Sequence, residues 1–164
     1  MADPSILPDD VRNALDAHGI EYEVLACEPH LADTAEFCEH YGFTPDMTLN
    51  AIVVVLKTNP RSYVACLVRF DTKLDVNHKV SDVVGVKRLS FASSEETATL
   101  TGMLIGGVTI AGLPPEIPIL IDTRVMDREK VIIGGGNRHS KVLLPPRELL
   151  KLPNARVEDV AIPR

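Results

Sequence analysis

The chain has 164 residues, of which 45% are hydrophobic and only 4% aromatic, and it contains no tryptophan. This length suits a single domain that buries its core without a metal or disulfide staple, and that core must be built mainly from Val, Ile, Leu and Ala. Seventeen basic against 23 acidic residues give a net charge of −6. This balance argues against broad, sequence-independent binding of nucleic acid over a whole face, although a local basic patch stays open.

The cysteine and histidine content predicts neither a disulfide framework nor a metal site. Cys27, Cys38 and Cys66 are far apart and form no CxxC pair, which favours a reducing, cytoplasmic setting. The histidines occur in no HxxxH or HExxH pattern, so we expect no metal and no cofactor. The start, MADPSILPDD, lacks the features of a signal peptide, and no apolar run reaches the roughly 18 residues that span a bilayer. We therefore expect a soluble protein without membrane contact.

The first elements in chain order are a helix, a strand and a second helix. PDDVRNALDAHG (8–19) has apolar residues at helical spacing and ends in glycine, which predicts a short amphipathic helix. EYEVL (21–25) alternates as a strand does. ADTAEFCEHYG (32–42) predicts a helix that begins with a capping box between Asp33 and Glu36.

The middle of the chain is rich in β-branched residues and predicts a hairpin. NAIVVVLK (50–57) and YVACLVRF (63–70) are separated by the turn residues NPRS. KRLSFA (87–92) predicts another strand. A further helix is expected from Ser93, which repeats the capping pattern with Glu96, to about Gly102.

The last predicted elements follow a glycine-rich segment. IPILID (117–122) predicts a short buried strand, KVIIGGGNRHSKVLLP (130–145) a pair of strands joined by a flexible turn, and PRELLKL (146–152) the closing helix. The helices are too few and too unevenly placed for a regular βαβ winding. The sequence therefore predicts one α+β domain over residues 1–164, with a mixed sheet flanked by helices.

The segment LIGGVTIAGLP (104–114, the glycine loop) interrupts this aliphatic chain with three glycines and one hydroxyl. It is either a tight corner, where glycines avoid clashes, or a binding loop, where a ligand approaches main-chain N–H groups closely. The apolar strand that follows could hold the loop rigidly at the mouth of a pocket. GGGNRH (134–139) lacks the GxxxxGK[ST] order and precedes a strand, so it is interpreted as a hairpin turn.

Four segments together resemble a known family. LTGMLIGGVTIAGLP, IPILID, KVIIGGG and LLPPRELLKL are similar, in this order, to the YbaK/prolyl-tRNA-synthetase-associated domain family of editing deacylases, most strongly over residues 24–152. Members of that family hydrolyse the ester that joins a wrong amino acid to tRNA, as free-standing proteins or as domains of a synthetase. The resemblance implies a mixed, twisted and partly barrel-like sheet flanked by helices.

The resemblance also implies a set of site residues. The substrate loop would comprise Gly106, Gly107, Val108, Thr109 and Gly112, with Ile110 at the position of the family's usual proline. Further residues would lie near the pocket: His30, Asp122 and the turn Gly134–Gly136, including Gly135. We expect the main-chain N–H groups from Gly106 to Thr109 to stabilise an oxyanion, and the Thr109 hydroxyl to hold a water molecule or the terminal ribose.

One departure from the family concerns a lysine at the start of the first hairpin strand. Here TLNAIVVV places Leu49 or Asn50 at that position. Lys57 lies an odd number of residues from Asn50, so it belongs to the opposite face of the strand and does not replace the lysine. Asn50 is the candidate catalytic residue, because its amide can donate to a carbonyl without carrying charge.

The leading hypothesis is a trans-editing aminoacyl-tRNA deacylase that acts by positioned water. Its partners would be mischarged tRNA and, as a second candidate, an aminoacyl-tRNA synthetase. Pocket size would select a small amino acid, with the walls expected from Val53, Val55 or their neighbours, Ile110 and Leu120. The candidates for contact with the tRNA are the basic residues Lys73, Lys79, Arg138 and Lys141. An alternative for these residues is that they are scattered charges that only keep the protein soluble. The alternative is a non-catalytic module that binds an aminoacylated tRNA end or a small ligand.

Overall fold

The computed structural model describes residues 2–164, in which two main β-sheets enclose the largest hydrophobic core. The strands are β1 (Glu23–Ala26), β2 (Leu49–Leu56), β3 (Ser62–Arg69), β4 (Thr72–Leu74), β5 (Leu89–Phe91), β6 (Ile119–Asp122), β7 (Val131–Gly134), β8 (Ser140–Leu144), β9 (Ala155–Glu158) and β10 (Ala161–Pro163). The α-helices are α1 (Asp9–Ala17), α2 (Thr34–Tyr41), α3 (Ser81–Val84) and α4 (Ser94–Thr101). A π-helical turn (Val76–Val80) leads into α3, and single 3₁₀ turns join other elements.

The larger sheet is mixed and has the strand order β5-β2-β3-β6-β9. β2 and β3 form the predicted antiparallel hairpin, whereas β6 pairs in parallel with both β3 and β9. The second sheet, β1-β8-β7, is antiparallel, and β4 pairs with β10 in a separate ribbon. One parallel bridge, Thr48 to Ile132, connects the two main sheets. The sheets thus meet at one edge, but no closed barrel forms.

The main core lies between the two sheets and α1. Leu15 from α1, Leu67 and Ile121 from the mixed sheet, and Ile133 from β7 are all almost fully buried in it. Such aliphatic packing agrees with the scarcity of aromatic residues. The opposite face of the mixed sheet carries a second core, and α2 packs Phe37 against Ile132 of β7 in a third.

Most predicted elements are confirmed, including the α+β class and the mixed sheet. Ser93 caps α4, because its side chain accepts a hydrogen bond of 3.0 Å from the Glu96 N–H. Gly42 closes α2 in the left-handed conformation, with φ of +77°. No helix within residues 2–164 has both the length and the apolar character needed to cross a membrane.

The C-terminal end differs from the prediction in two respects. The segment expected as a closing helix is a 3₁₀ helix, Pro146–Lys151, because prolines on both sides confine it to a short segment. The chain then continues into β9 and β10, which sequence patterning did not predict. Buried Asp122 anchors this return, since its carboxylate accepts hydrogen bonds from the Val160 and Ala161 N–H groups at 3.0 and 3.1 Å.

Candidate active site

A cavity of about 430 Å³ opens beside β2, between α2 and the glycine loop. Its walls are residues 33–36 at the start of α2, residues 49–52 of β2 and the glycine loop; Phe70, Gly134 and Lys141 complete the lining. The cavity therefore gathers segments that are distant in sequence, and it lies where the two main sheets meet.

The edge of β2 explains why a cavity exists here. β5 pairs only with Val54–Leu56, and the bridge to β7 is made at Thr48. Between these two contacts no strand within residues 2–164 pairs with this edge of β2, and residues 50–52 border the cavity. A strand edge without a partner presents free N–H and C=O groups, which can bind a ligand.

Asn50 is the polar side chain that β2 contributes to the cavity. Its Oδ1 accepts a hydrogen bond of 2.8 Å from the Thr34 hydroxyl, at the first residue of α2. This contact leaves the Nδ2 hydrogens available as donors. Leu49 is only 5% exposed and packs in the main core. Of the two residues considered for the lysine position, the one that contacts the pocket's polar groups is Asn50.

Three consecutive carbonyl groups of the glycine loop are held by hydrogen bonds. Arg138 Nη1 donates to Ile105 O, Lys141 Nζ to Gly106 O at 2.7 Å, and Gly136 N to Gly107 O at 2.7 Å. In a planar trans peptide the C=O and the following N–H point in opposite directions. Fixing the carbonyls of Ile105 and Gly107 therefore fixes the N–H directions of Gly106 and Val108.

Two of the four N–H groups expected to stabilise an oxyanion are free. Gly106 and Val108 line the cavity, and neither N–H has an acceptor within residues 2–164. The other two are engaged inside the loop: Gly107 N donates to Leu104 O at 2.9 Å, and Thr109 N to Met103 Sδ at 3.4 Å. The loop thus offers two fixed, unpaired donors rather than four.

The glycines allow two backbones to pack directly against each other. A Cβ at Gly107 would lie 2.4 Å from Asn137 O, and one at Gly134 would lie 2.3 Å from Val108 O. Any side chain at either position would push the glycine loop away from the β7–β8 turn. The two segments interpreted separately as a loop and a hairpin turn are therefore one unit at the pocket.

Arg138 ties this unit to the start of α2. Its guanidinium pairs with the Asp33 carboxylate at 3.0 Å and donates to Pro29 O at 2.9 Å. Asp33 occupies the N-cap position of α2, but it makes no side-chain capping bond. The predicted capping box with Glu36 is therefore wrong, because the Asp33 carboxylate binds Arg138 instead.

Lys141 also lies at the pocket rather than on the outer surface. It is 6% exposed, and its ammonium group donates to Ala32 O and Gly106 O, both at 2.7 Å. The group lies 5.4 Å from the centre of the Phe37 ring. Burial lowers the pKa of Lys141 below its ordinary value. A cation is thus held inside the pocket wall.

Several residues expected at the pocket lie elsewhere. Thr109 is 0% exposed, and its hydroxyl oxygen has no hydrogen-bond partner within residues 2–164. Ile110 is buried in the main core. Both follow Val108, where the chain leaves the pocket and enters the core. The Thr109 hydroxyl is therefore not placed to hold a ribose or a water molecule in this cavity.

Other predicted positions have structural contacts. Gly112 lies against the main chain of α1 with φ of +81°, and Gly135 lies against Ser140. Asp122 pairs with Arg124 and caps the C-terminal return. His30 is exposed, outside the cavity lining. Gly112, Gly135 and Asp122 therefore support the fold around the site, and none of the four residues borders the cavity.

The remaining basic candidates lie near the C-terminal ribbon. Lys73 is exposed on β4. Lys79 binds Asp159 and the Ala161 carbonyl, both at 2.8 Å, so its ammonium group holds β10 in place.

Sequence reasoning missed much of the pocket wall. Thr34, Phe70 and Ile105 line the cavity without having been predicted as its walls. Val53, Val55 and Leu120 are buried outside the lining, whereas Ile52, a neighbour of Val53, is part of it. Strand parity gave a usable signal for Ile52, which is on the same face as Asn50. No local signal marks Thr34 or Phe70, because their positions depend on how α2 and the end of β3 meet.

Burial disfavours the thiolate form of two cysteines. Burial raises the pKa of the Cys66 thiol to about 12 and also raises that of Cys27, so neither is a ready thiolate nucleophile at neutral pH. Within residues 2–164 no cluster of three or more His, Cys, Asp or Glu side chains is arranged to hold a metal ion.

Solved structures of the same fold include three close matches. Hypothetical protein APE2540 is 27% identical, with a TM-score of 0.84 over 94% of this chain and 100% of that one. A proposed trans-editing enzyme for prolyl-tRNA synthetase is 25% identical, with a TM-score of 0.82 over 99% of each chain. A scaffold used for computational epitope grafting is 24% identical, with a TM-score of 0.80 over 95% of this chain and 99% of that one, and it supports the fold alone.

A family model matches most of the sequence. The model of the aminoacyl-tRNA editing domain aligns with residues 28–152. This range includes α2, the unpaired edge of β2, the glycine loop and the β7–β8 turn, which are the segments that build the pocket. The resemblance to YbaK-type domains is thereby confirmed, and the chain belongs to the aminoacyl-tRNA editing domain family.

Proposed function

We propose that this protein hydrolyses the aminoacyl ester of mischarged tRNA in trans. The observation that carries the proposal is that Gly106 and Val108, two residues whose N–H groups are unpaired within residues 2–164, line a pocket that Asn50 also borders. An ester bond is already labile, so an enzyme needs only to place a water molecule and to stabilise the oxyanion that develops.

In the proposed reaction, water adds to the ester carbonyl carbon and the ribose oxygen leaves. The bond from water oxygen to carbon forms, the bond from carbon to ribose oxygen breaks, and the ribose oxygen takes up the proton that the water loses. Each fixed N–H donor at the oxyanion is worth about 3 kcal/mol in known hydrolases. Asn50 Nδ2 would add a neutral donor from the facing wall.

The lining supports a small aminoacyl group as the substrate. Ile52, Phe70 and Val108 form apolar parts of the wall. The carboxylate of Glu36 lies at the rim on an exposed residue and suits an α-ammonium group. A cavity of about 430 Å³ that also admits the terminal ribose leaves space for few side-chain atoms.

The proposal for tRNA contact now rests mainly on exposed charge. Lys73 keeps a free surface position, whereas the charged groups of Lys79, Arg138 and Lys141 are bound within the protein. Contact with the phosphate backbone would make binding weaken steeply as salt rises. A flat dependence on salt would assign these residues to solubility and structure alone.

A panel of mischarged tRNAs tests the proposed function. The similarity to a proposed trans-editing enzyme for prolyl-tRNA synthetase makes proline tRNA the first to charge, with alanine, serine, cysteine and, as the matched ester, proline. We expect the protein to release one small amino acid faster than buffer does. Release of none of them by correctly folded protein would contradict the proposal.

The alternative is a binding module that retains the pocket without turnover. It is favoured by the absence of the family's usual lysine at Leu49 or Asn50, of which Asn50 is the one that contacts a polar group of the pocket. Asn50→Lys in the same panel separates the two functions. A retuned enzyme loses activity or gains none with the lysine, whereas a large gain over an inactive wild type would identify a degenerate site.

A further inference from the structure

Lys141 raises a question that the family resemblance does not answer. A lysine that is 6% exposed has lost most of its hydration, which is costly unless the charge finds strong partners. Both of its hydrogen-bond acceptors are neutral main-chain carbonyls, of Ala32 and Gly106. A burial this costly calls for a role that an uncharged side chain would not supply.

The two carbonyls belong to opposite walls of the pocket. Ala32 immediately precedes the N-cap of α2, whereas Gly106 is in the glycine loop. Lys141 itself is on β8, paired with Leu25 of β1 on one side and Gly134 of β7 on the other. Its backbone is therefore fixed in the centre of a sheet, and its ammonium group reaches two segments that carry the pocket.

The hydrogen bond to Gly106 acts on the part of the loop that carries the free donors. The Gly106 carbonyl lies between the two peptide units whose N–H groups, of Gly106 and Val108, are unpaired. Gly106 also has φ of +89°, and a glycine can leave this conformation easily because it has no side chain to restrict its backbone. Holding its carbonyl removes that freedom.

We propose that Lys141 is a positioning residue that fixes the distance between the glycine loop and the start of α2 and thereby keeps the Gly106 and Val108 donors in place. It also supplies the pocket with the positive charge that β2 lacks, from a different strand. The kinetic part of this assignment rests on the proposed deacylase function, and the structural part does not.

The charged state of Lys141 depends on the groups around it. Cys27 beside β1, Asp33 and Cys38 on the α2 side and Arg138 in the β7–β8 turn face the ammonium group. Burial is the largest influence and lowers the pKa of Lys141, and Arg138 lowers it further. The ammonium form is therefore lost at a lower pH than for an exposed lysine, and activity that needs it should decline on the alkaline side.

The test compares Lys141→Met and Lys141→Arg with Lys57→Met, which removes an exposed lysine at the far end of β2. Hydrogen exchange is measured in residues 29–34 and 104–109, and kcat and KM are measured on the ester that the wild type cleaves. For Lys141→Met we expect the hydrogen-exchange rate in both segments to rise about tenfold or more, because the variant loses two charge-assisted hydrogen bonds. We expect kcat to fall about 100-fold with KM little changed, because displaced donors act on the transition state.

Lys141→Arg keeps the charge, so it should recover part of kcat and flatten the alkaline decline that the wild type shows. Unchanged exchange in both segments, or faster exchange spread evenly over the core strands, would overturn the proposal. If Lys141→Met does not fold, Lys141→Gln, which removes the charge and shortens the side chain, is used for the same exchange comparison. If the wild type cleaves no ester, the proposed function fails, and the exchange result alone decides for or against the positioning role.

Discussion

At the scale of single residues, the site depends on what each charged group binds. The sequence predicts Asp33 in a helix cap and Arg138 and Lys141 on a tRNA-binding surface. In the structure Arg138 and Lys141 donate to main-chain carbonyls, and the Asp33 carboxylate pairs with Arg138. Long basic side chains can serve either purpose, and the choice depends on whether buried carbonyls lie within reach. These contacts make Arg138 a structural clamp as well as a candidate for tRNA contact.

The two roles of Arg138 predict different kinetics. Arg138→Gln releases the Ile105 carbonyl, so the clamp role predicts a lower kcat, by about tenfold or more, with KM nearly unchanged at low and high salt. Lys73→Gln, at an exposed residue of β4, serves as the comparison, because loss of a phosphate contact should raise KM and weaken its salt dependence. A salt-dependent rise of KM in Arg138→Gln, without a loss of kcat, would contradict the clamp.

At the scale of elements, the hairpin positions the site through strand parity and an incomplete edge. The β-branched run predicts β2 and β3, and parity places Asn50 opposite to Leu49. Sequence does not reveal that β5 covers only one end of β2, because strand pairing at an edge depends on where the connecting segments lead the chain. The pocket exists because of that short pairing.

The same hairpin makes a prediction about alkaline stability. Cys66, in the centre of β3, is fully buried, and its thiol keeps its proton up to about pH 12 in the folded chain, against an ordinary value of 9.0. Between these values the folded state binds more protons than the unfolded state, so raising the pH favours unfolding. The free energy of unfolding should fall by about 1.4 kcal/mol per pH unit within this window.

Urea titrations from pH 8 to 11 on wild type and Cys66→Ala check this contribution. The variant loses some packing at every pH, but the Cys66 part of the alkaline slope should disappear. Tyr22, whose pKa burial and Asp16 raise to about 12, is present in both proteins and cancels in the comparison. Equal slopes would show that the thiol does not differ between the folded and unfolded chains.

At the scale of the whole molecule, the site is assembled by contacts that connect distant parts of the sequence. The positions of the glycines and of the β-branched runs in the sequence predicted the glycine loop, the β7–β8 turn and the strands around them. They did not predict that the loop packs on the turn through Gly107 and Gly134, or that Arg138 reaches Asp33. Such contacts depend on the packing of the two sheets, which no local pattern encodes.

The C-terminal return illustrates the same limit. β9 and β10 are short; β9 carries charged residues and β10 ends in proline, so their pattern is weak. They form because β6 and β4 offer edges and because Asp122 satisfies two N–H groups. Asp122 was expected near the substrate, but its buried carboxylate binds Arg124 and the Val160 and Ala161 N–H groups instead.

The role of the Val108 N–H at the oxyanion is tested by comparing the rates of ester cleavage in Val108→Pro and Val108→Ala. Proline removes the N–H that is proposed to bind the oxyanion, and Val108 has no positive φ that would exclude it. Alanine keeps that N–H and removes a similar part of the side chain. On the ester that the wild type cleaves, we predict that Val108→Pro lowers kcat by about 100- to 1000-fold, whereas Val108→Ala stays close to wild type. Equal rates in two folded variants would contradict the central claim that main-chain donors of the glycine loop stabilise the transition state.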